Sequence, residues 1–178
     1  MPFLDPAPYE ALDRAPARAE TAAAFGLDRE RPWLITVAMM RDGAKLASFM
    51  MLGTALARLK DIPFRLLVVG DGPARKEVER ALGGASTVFL GERGEDAIAR
   101  LLGAADLFVW PAVGEAYGMA LLEAQASGLA VVAGDGGASF IVRDGRTGLL
   151  TAPRDSGAFA DAVRRLLADP VERAAMGA

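Results

Sequence analysis

The chain has 178 residues, of which 52% are hydrophobic and 24% charged, with a net charge of −3 and a pI near 5.1. That size supports one domain with a substantial core, and the composition excludes a disordered chain and speaks against a general nucleic-acid binder, which needs a basic surface. There are no cysteines and no histidines, so disulfides, thiolate chemistry, a Ser-His-Asp triad and a His-containing zinc site are excluded. No apolar run approaches the roughly 18 residues that span a bilayer. The segment Met1-Pro2-Phe3-Leu4-Asp5-Pro6 lacks the basic and apolar regions of a signal peptide. A cytoplasmic setting is the expectation.

Residues 1–8 are Pro-rich and read as irregular. Tyr9 to Phe25 is Ala-rich and charged and reads as one helix ending at Gly26. Trp33 to Ala38 is a short continuous apolar run, the pattern of a strand buried on both faces. A polar loop, Arg41-Asp42-Gly43-Ala44-Lys45, leads to a helix over Leu46–Leu59, with apolar residues at 49, 52, 56 and 59. Phe64 to Val69 is the second strand, and Gly70-Asp71-Gly72-Pro73 its turn. A helix over 74–82 closes at Gly83-Gly84. The third strand, 87–90, is followed by Gly91-Glu92-Arg93-Gly94 and a helix over 95–102. Leu107 to Trp110 is the fourth strand and 129–133 the fifth, with a helix over roughly 118–127 between them. A short helix at 138–142, a strand at 148–150 and a helix capped by Asp155 or Ser156 complete the order. Asp169-Pro170 ends that helix, and a final turn starts near Val171.

Strand–helix alternation of this kind predicts an α/β fold: a doubly wound, six-stranded parallel sheet with helices on both faces. Glycines at 43, 70, 72, 91, 114, 118, 134, 136 and 137 gather after the strand ends. Turn chemistry explains each singly. Together they line one edge with backbone that a ligand can approach. Neither the dinucleotide-binding Gly-x-Gly-x-x-Gly after the first strand nor a P-loop is present, which argues against a dehydrogenase or an NTPase.

Two carboxylates stand out. Glu115 falls in the loop after the fourth strand and Glu123 in the helix that follows, seven residues between them. They are not a solvated pair on one helix face. The carboxyl end of a strand next to a helix N-terminus is where open α/β sheets bind ligands, and its exposed N–H groups suit a phosphate.

Taken in order, Val69-Gly70-Asp71-Gly72-Pro73, Phe89-Leu90-Gly91, the stretch from Glu115 to Gly128 and Gly136-Gly137 resemble the C-terminal, donor-binding half of GT-B glycosyltransferases, the large retaining group often called family 4. Glu115-Ala-Tyr-Gly-Met-Ala-Leu-Leu-Glu123-Ala-Gln-Ala-Ser-Gly128 is similar to that family's signature, and Val69-Gly70-Asp71-Gly72-Pro73 to its second strand and turn. Phe89-Leu90-Gly91, Ala105-Asp106-Leu107-Phe108-Val109-Trp110-Pro111, Gly136-Gly137 and Val142 to Leu150 continue the match, over roughly residues 31–170.

The resemblance implies a nucleotide diphosphate sugar (UDP-, GDP- or ADP-linked) as donor, with no metal and no nucleic acid. Glu115 would face the donor sugar's hydroxyls or the reacting centre, as a catalytic residue with Arg41 and Lys45, and Glu123 would accept from the ribose hydroxyls. The N–H groups of Gly118, Met119 and Ala120 would hold the diphosphate, with Arg41 and Lys45 neutralising it. The base would lie near Gly91-Glu92, and Gly72 would lie on the same glycine-lined edge. It implies too that residues 1–30 are interdomain linker and helix, that 31–178 are the nucleotide-sugar domain, and that an absent N-terminal domain holds an acceptor glycan or lipid. Peripheral membrane attachment would run through that domain. Transfer by this chain alone is not expected.

Two departures bear on function. The family's usual Gly-Arg after the first strand reads Ala38-Met39, and its Gly-Gly-x-Pro-Glu reads Gly136-Gly137-Ala138-Ser139-Phe140. A non-catalytic nucleotide-binding or interaction module is the alternative reading. An epimerase or phosphorylase of the same architecture finds less support: Lys45, Lys60 and Lys76 are the only lysines, and none has a pyridoxal-phosphate context.

Overall fold

The computed structural model describes residues 4–10, 12–84, 86–114 and 118–178. Six strands form one sheet, β1 (Trp33–Val37), β2 (Arg65–Val69), β3 (Thr87–Gly91), β4 (Leu107–Trp110), β5 (Val131–Gly134) and β6 (Gly148–Thr151). Their order is β3-β2-β1-β4-β5-β6 and every pairing is parallel. The strand order reverses between β1 and β4, so right-handed crossovers put the helices of the two halves of the sheet on opposite faces.

Helices α3 (Ala44–Leu56), α4 (Arg75–Leu82) and α7 (Ser156–Ala168) form one layer, in which α3 packs on both α4 and α7. Helices α1 (Ala7–Glu10), α2 (Arg14–Phe25), α5 (Glu95–Ala104) and α6 (Met119–Ala126) form the other. Helix α8 (Pro170–Gly177) follows α7, and Met176 buries its side chain. Strands β1, β2, β4 and β5 are buried almost throughout, which explains their continuous apolar runs. The fold is the expected doubly wound one.

The reading of one helix over 9–25 needs correction. Pro16 decides it: in a continuous helix it would lie in the interior, with no N–H for the carbonyl four residues back. The chain instead leaves helix after Glu10 and restarts at Arg14, which puts Pro16 in the first turn of α2, where no donor is needed. The Asp13 carboxylate caps that start by accepting from the Ala15 N–H, and Gly26 closes the far end at φ 63°. Smaller shifts have similar causes. Asp155 caps α7 through the Ala158 N–H. Asp169 caps α8 through Val171 and Glu172, with Pro170 in its first turn. The reading of 46–59 becomes α3 from Ala44 plus a 3₁₀ turn at Ala57–Leu59, and that of 138–142 a 3₁₀ turn at Ala138–Phe140. The fifth strand begins at Val131 rather than Leu129.

Candidate functional site

The carboxyl edge of the sheet is knitted together beyond the strands. After β1 and β2, the Ala38 N–H donates to the Val69 carbonyl (3.0 Å), the Met40 N–H to Asp71 (2.8 Å) and the Ala74 N–H to Met40 (2.9 Å). This approach demands glycine. A Cβ on Gly70 or Gly72 would strike the Ala38 or Met40 carbonyl, and both residues hold positive φ, 134° and 148°. The Gly72 N–H donates to its neighbour's carboxylate, Asp71 Oδ1 (2.8 Å), while Asp71 Oδ2 accepts from Arg75 (2.7 Å). The Gly72 conformation is therefore set by packing and local capping.

One face of α3 ties this edge to β4. Lys45, Ser48 and Phe49 follow the 3–4 spacing of a single helix face. The Lys45 ammonium stands 5.3 Å from the Trp110 ring centroid and the Phe49 ring meets Trp110 edge-on at 5.0 Å. The Ser48 hydroxyl donates to the Ala44 carbonyl and accepts from the Val113 N–H, each at 2.9 Å, clamping the loop after β4 to α3. Lys45 is thus half-buried at the end of β4. Arg41, on the loop before α3, is exposed, as is Met39 beside it at 60%.

The loop after β4 is strained. Ala112 holds φ 53° although it is not glycine, and it is fully buried. Gly134 and Gly136 permit the approach from β5, since a Cβ on Gly134 would strike the Pro111 carbonyl and one on Gly136 would lie 3.0 Å from the Ala112 carbonyl. Glu115 falls outside the described residues. Gly118 then opens α6 in the left-handed region, φ 52° and ψ 56°, buried. No side chain among the described residues caps α6, so the first-turn N–H groups of Met119 and Ala120 have no side-chain acceptor there. An uncapped helix start carries a partial positive charge and suits an anion.

Glu123 lies one turn into α6, half-buried. Burial first, and the Glu95 carboxylate second, hold its pKa above the ordinary carboxylate value. Glu95 opens α5, so both acids stand at the carboxyl end of the groove between α5 and α6. Gly91 ends β3 at φ 72° and its carbonyl accepts from the Gly70 N–H (2.9 Å), with Glu92 exposed beyond it.

The fold brings Lys45, Gly118, Met119, Ala120, Glu123, Gly91 and Glu92 to one edge, across adjoining strands β3 to β5. Arg41 reaches the same edge on a solvent-exposed loop. Ser48 and Trp110 are site-building residues that sequence reasoning left aside. The Lys45-Ser48-Phe49 spacing was the available signal for Ser48. Among the described residues no group of three or more His, Cys, Asp or Glu is placed to hold a metal ion, and no helix is long and apolar enough to cross a membrane.

A family described as Glycosyl transferases group 1 matches residues 31–169. The chain is 35% identical over 185 residues to the D-inositol 3-phosphate glycosyltransferase of Nocardia farcinica, covering 94% of this chain and 39% of that protein. Among solved structures it resembles the sucrose-phosphate synthase of Thermosynechococcus elongatus, with TM-score 0.83 and 29% identity over 98% of this chain and 44% of that one. It shares the fold of Anabaena Alr3699/HepE, solved in complex with UDP-glucose, with TM-score 0.82 and 23% identity over 98% of this chain and 48% of that one. The chain spans less than half the length of each of these proteins.

Proposed function

Since the chain belongs to the group 1 glycosyl transferases, we propose that it is the donor-binding half of a retaining hexosyltransferase that uses a nucleotide diphosphate sugar. The observation that carries this is the N-terminus of α6, capped by no side chain among the described residues, at the same carboxyl edge of the sheet as Lys45 and Glu123. The diphosphate lies on the N–H groups of Gly118, Met119 and Ala120. Glu123 accepts from the ribose hydroxyls, Glu115 faces the sugar, and the base lies along Gly91-Glu92. When the bond between the sugar's anomeric carbon and the diphosphate breaks, negative charge grows on the leaving oxygen. The α6 dipole and the Lys45 ammonium, joined by Arg41, stabilise that charge. The acceptor, a glycan or lipid, binds a preceding N-terminal domain that completes the enzyme. The UDP-glucose held by a fold neighbour supports a nucleotide sugar as donor.

Titration calorimetry with UDP, GDP, ADP and their sugars tests this. One nucleoside diphosphate should bind, and Lys45→Ala should weaken it about tenfold, the scale of one charge-assisted contact to phosphate. Absence of binding at millimolar ligand would overturn the reading. A non-catalytic nucleotide-binding module has its own support: Met39 and Phe140 stand exposed, at 60% and 88%, where the family's arginine and acid are expected. Assaying sugar release from the chain joined to an acceptor domain separates the two.

A further inference from the structure

The N-terminal segment sends one polar side chain into the molecule behind the candidate ribose carboxylate. Helix α1 packs against both α5 and α6, and Tyr9 is buried there, 3% exposed. Its backbone N–H is satisfied by the Pro6 carbonyl at 2.9 Å. From there the chain descends along α5, where Leu12 lies against Gly103. The Tyr9 hydroxyl has no hydrogen-bond partner among the described residues. Phenylalanine would fill this groove equally well and would leave no buried donor unmade. The acidic groups that act on the phenol are Glu123 and Glu95. With burial as the larger cause, they push its pKa up to about 12, so it stays a donor across the physiological range.

We propose that Tyr9 is a positioning residue for the donor site: when a nucleotide fills the edge, its buried hydroxyl donates to the Glu123 carboxylate and holds it toward the ribose. The inference rests on the function proposed above. Burial and a neighbouring acid both work against the charged form of Glu123. Tyr9 belongs to α1, which packs on both α5 and α6, the helices that carry Glu95 and Glu123. A linker segment outside the sheet is thereby coupled to occupancy of the site. A purely structural tyrosine would show the opposite pattern, a loss of stability with no change in what the site prefers.

The test is titration calorimetry with whichever of UDP, GDP and ADP binds best, and with the 2′,3′-dideoxy form of the same diphosphate, on the unmodified chain, Tyr9→Phe, Glu123→Gln and the double variant. Tyr9→Phe should weaken the ribonucleotide about tenfold and the dideoxy form less than about twofold, the discrimination expected of one hydrogen bond to a charged group. The double variant should bind no worse than Glu123→Gln alone, the mark of two residues acting through one contact. The thermal midpoint of unliganded Tyr9→Phe should not fall. Equal loss for both nucleotides, unchanged ribonucleotide affinity, or additive losses in the double variant would each overturn the role of Tyr9. If instead the unmodified chain fails to distinguish ribose from dideoxyribose, the ribose assignment itself falls.

Discussion

At the scale of single residues, Glu123 shows a site maintained at some cost to the fold. Its folded pKa is raised by burial first and Glu95 second. Between its ordinary pKa and that raised one, the folded chain holds more protons than the unfolded chain, so stability falls as pH rises through that window. Above that window the raised pKa subtracts from stability. Glu123→Gln should therefore raise the melting midpoint at pH 7 by roughly 1–2 °C, a figure kept small because the group is partly solvated. The gain should vanish below the ordinary carboxylate pKa. The same change should weaken nucleoside diphosphate binding by roughly tenfold or more. Melting curves at pH 4 and pH 7 alongside calorimetry check both halves. A variant that is less stable and binds normally would show Glu123 to be a packing residue.

At the scale of elements, helix packing decides outcomes that propensity alone gets wrong. Gly53 lies in the middle of α3, where alanine would ordinarily stabilise by about 1 kcal/mol. Here a Cβ would strike the Ala81 carbonyl of α4, backbone against backbone. Overpacking of that kind costs about 1–3 kcal/mol and outweighs the propensity gain. Gly53→Ala should therefore lower the urea midpoint. The same close contact holds α3, and so Lys45 and Ser48, in register with the sheet edge. The strand and helix elements were largely legible from apolar runs and glycine stops. The division of 9–25 into α1 and α2 was legible too, at Pro16 and Asp13, since a proline in a helix interior is a break.

At the scale of the whole molecule, the amino edge of the sheet carries its own anchor. Asp106, 12% exposed, accepts from Arg14, from Arg18 (3.0 Å) and from the Trp33 N–H (2.7 Å). Arg18 also donates to the carbonyls of Arg29, Arg31 and Ala104 and stacks 4.0 Å from the Trp33 ring centroid. This cluster joins α2, β1, β4 and the end of α5 at the edge opposite the site. Asp106→Ala removes the carboxylate partner of a largely buried guanidinium and leaves the Trp33 N–H without its acceptor. It should cost about 3 kcal/mol in urea unfolding while leaving the nucleotide affinity of the folded chain unchanged. A loss below about 0.5 kcal/mol, the level of an ordinary surface substitution, would remove the cluster from the account of stability.

By itself the sequence determined the alternation, hence the parallel doubly wound sheet, because period and turn chemistry are local. It determined the candidate edge as well, because motif residues follow strand ends. Only the tertiary structure could decide which of those residues meet. Gly72 follows a strand end in the sequence, and the tertiary structure sets it against the Met40 carbonyl and the Asp71 carboxylate. Ser48 is joined to the loop after β4 by the tertiary contact with the Val113 N–H. Tyr9 lies far along the chain from Glu123, and no local pattern relates them. Contacts between distant segments arise from packing complementary surfaces, and a one-dimensional periodicity carries no record of the partner surface.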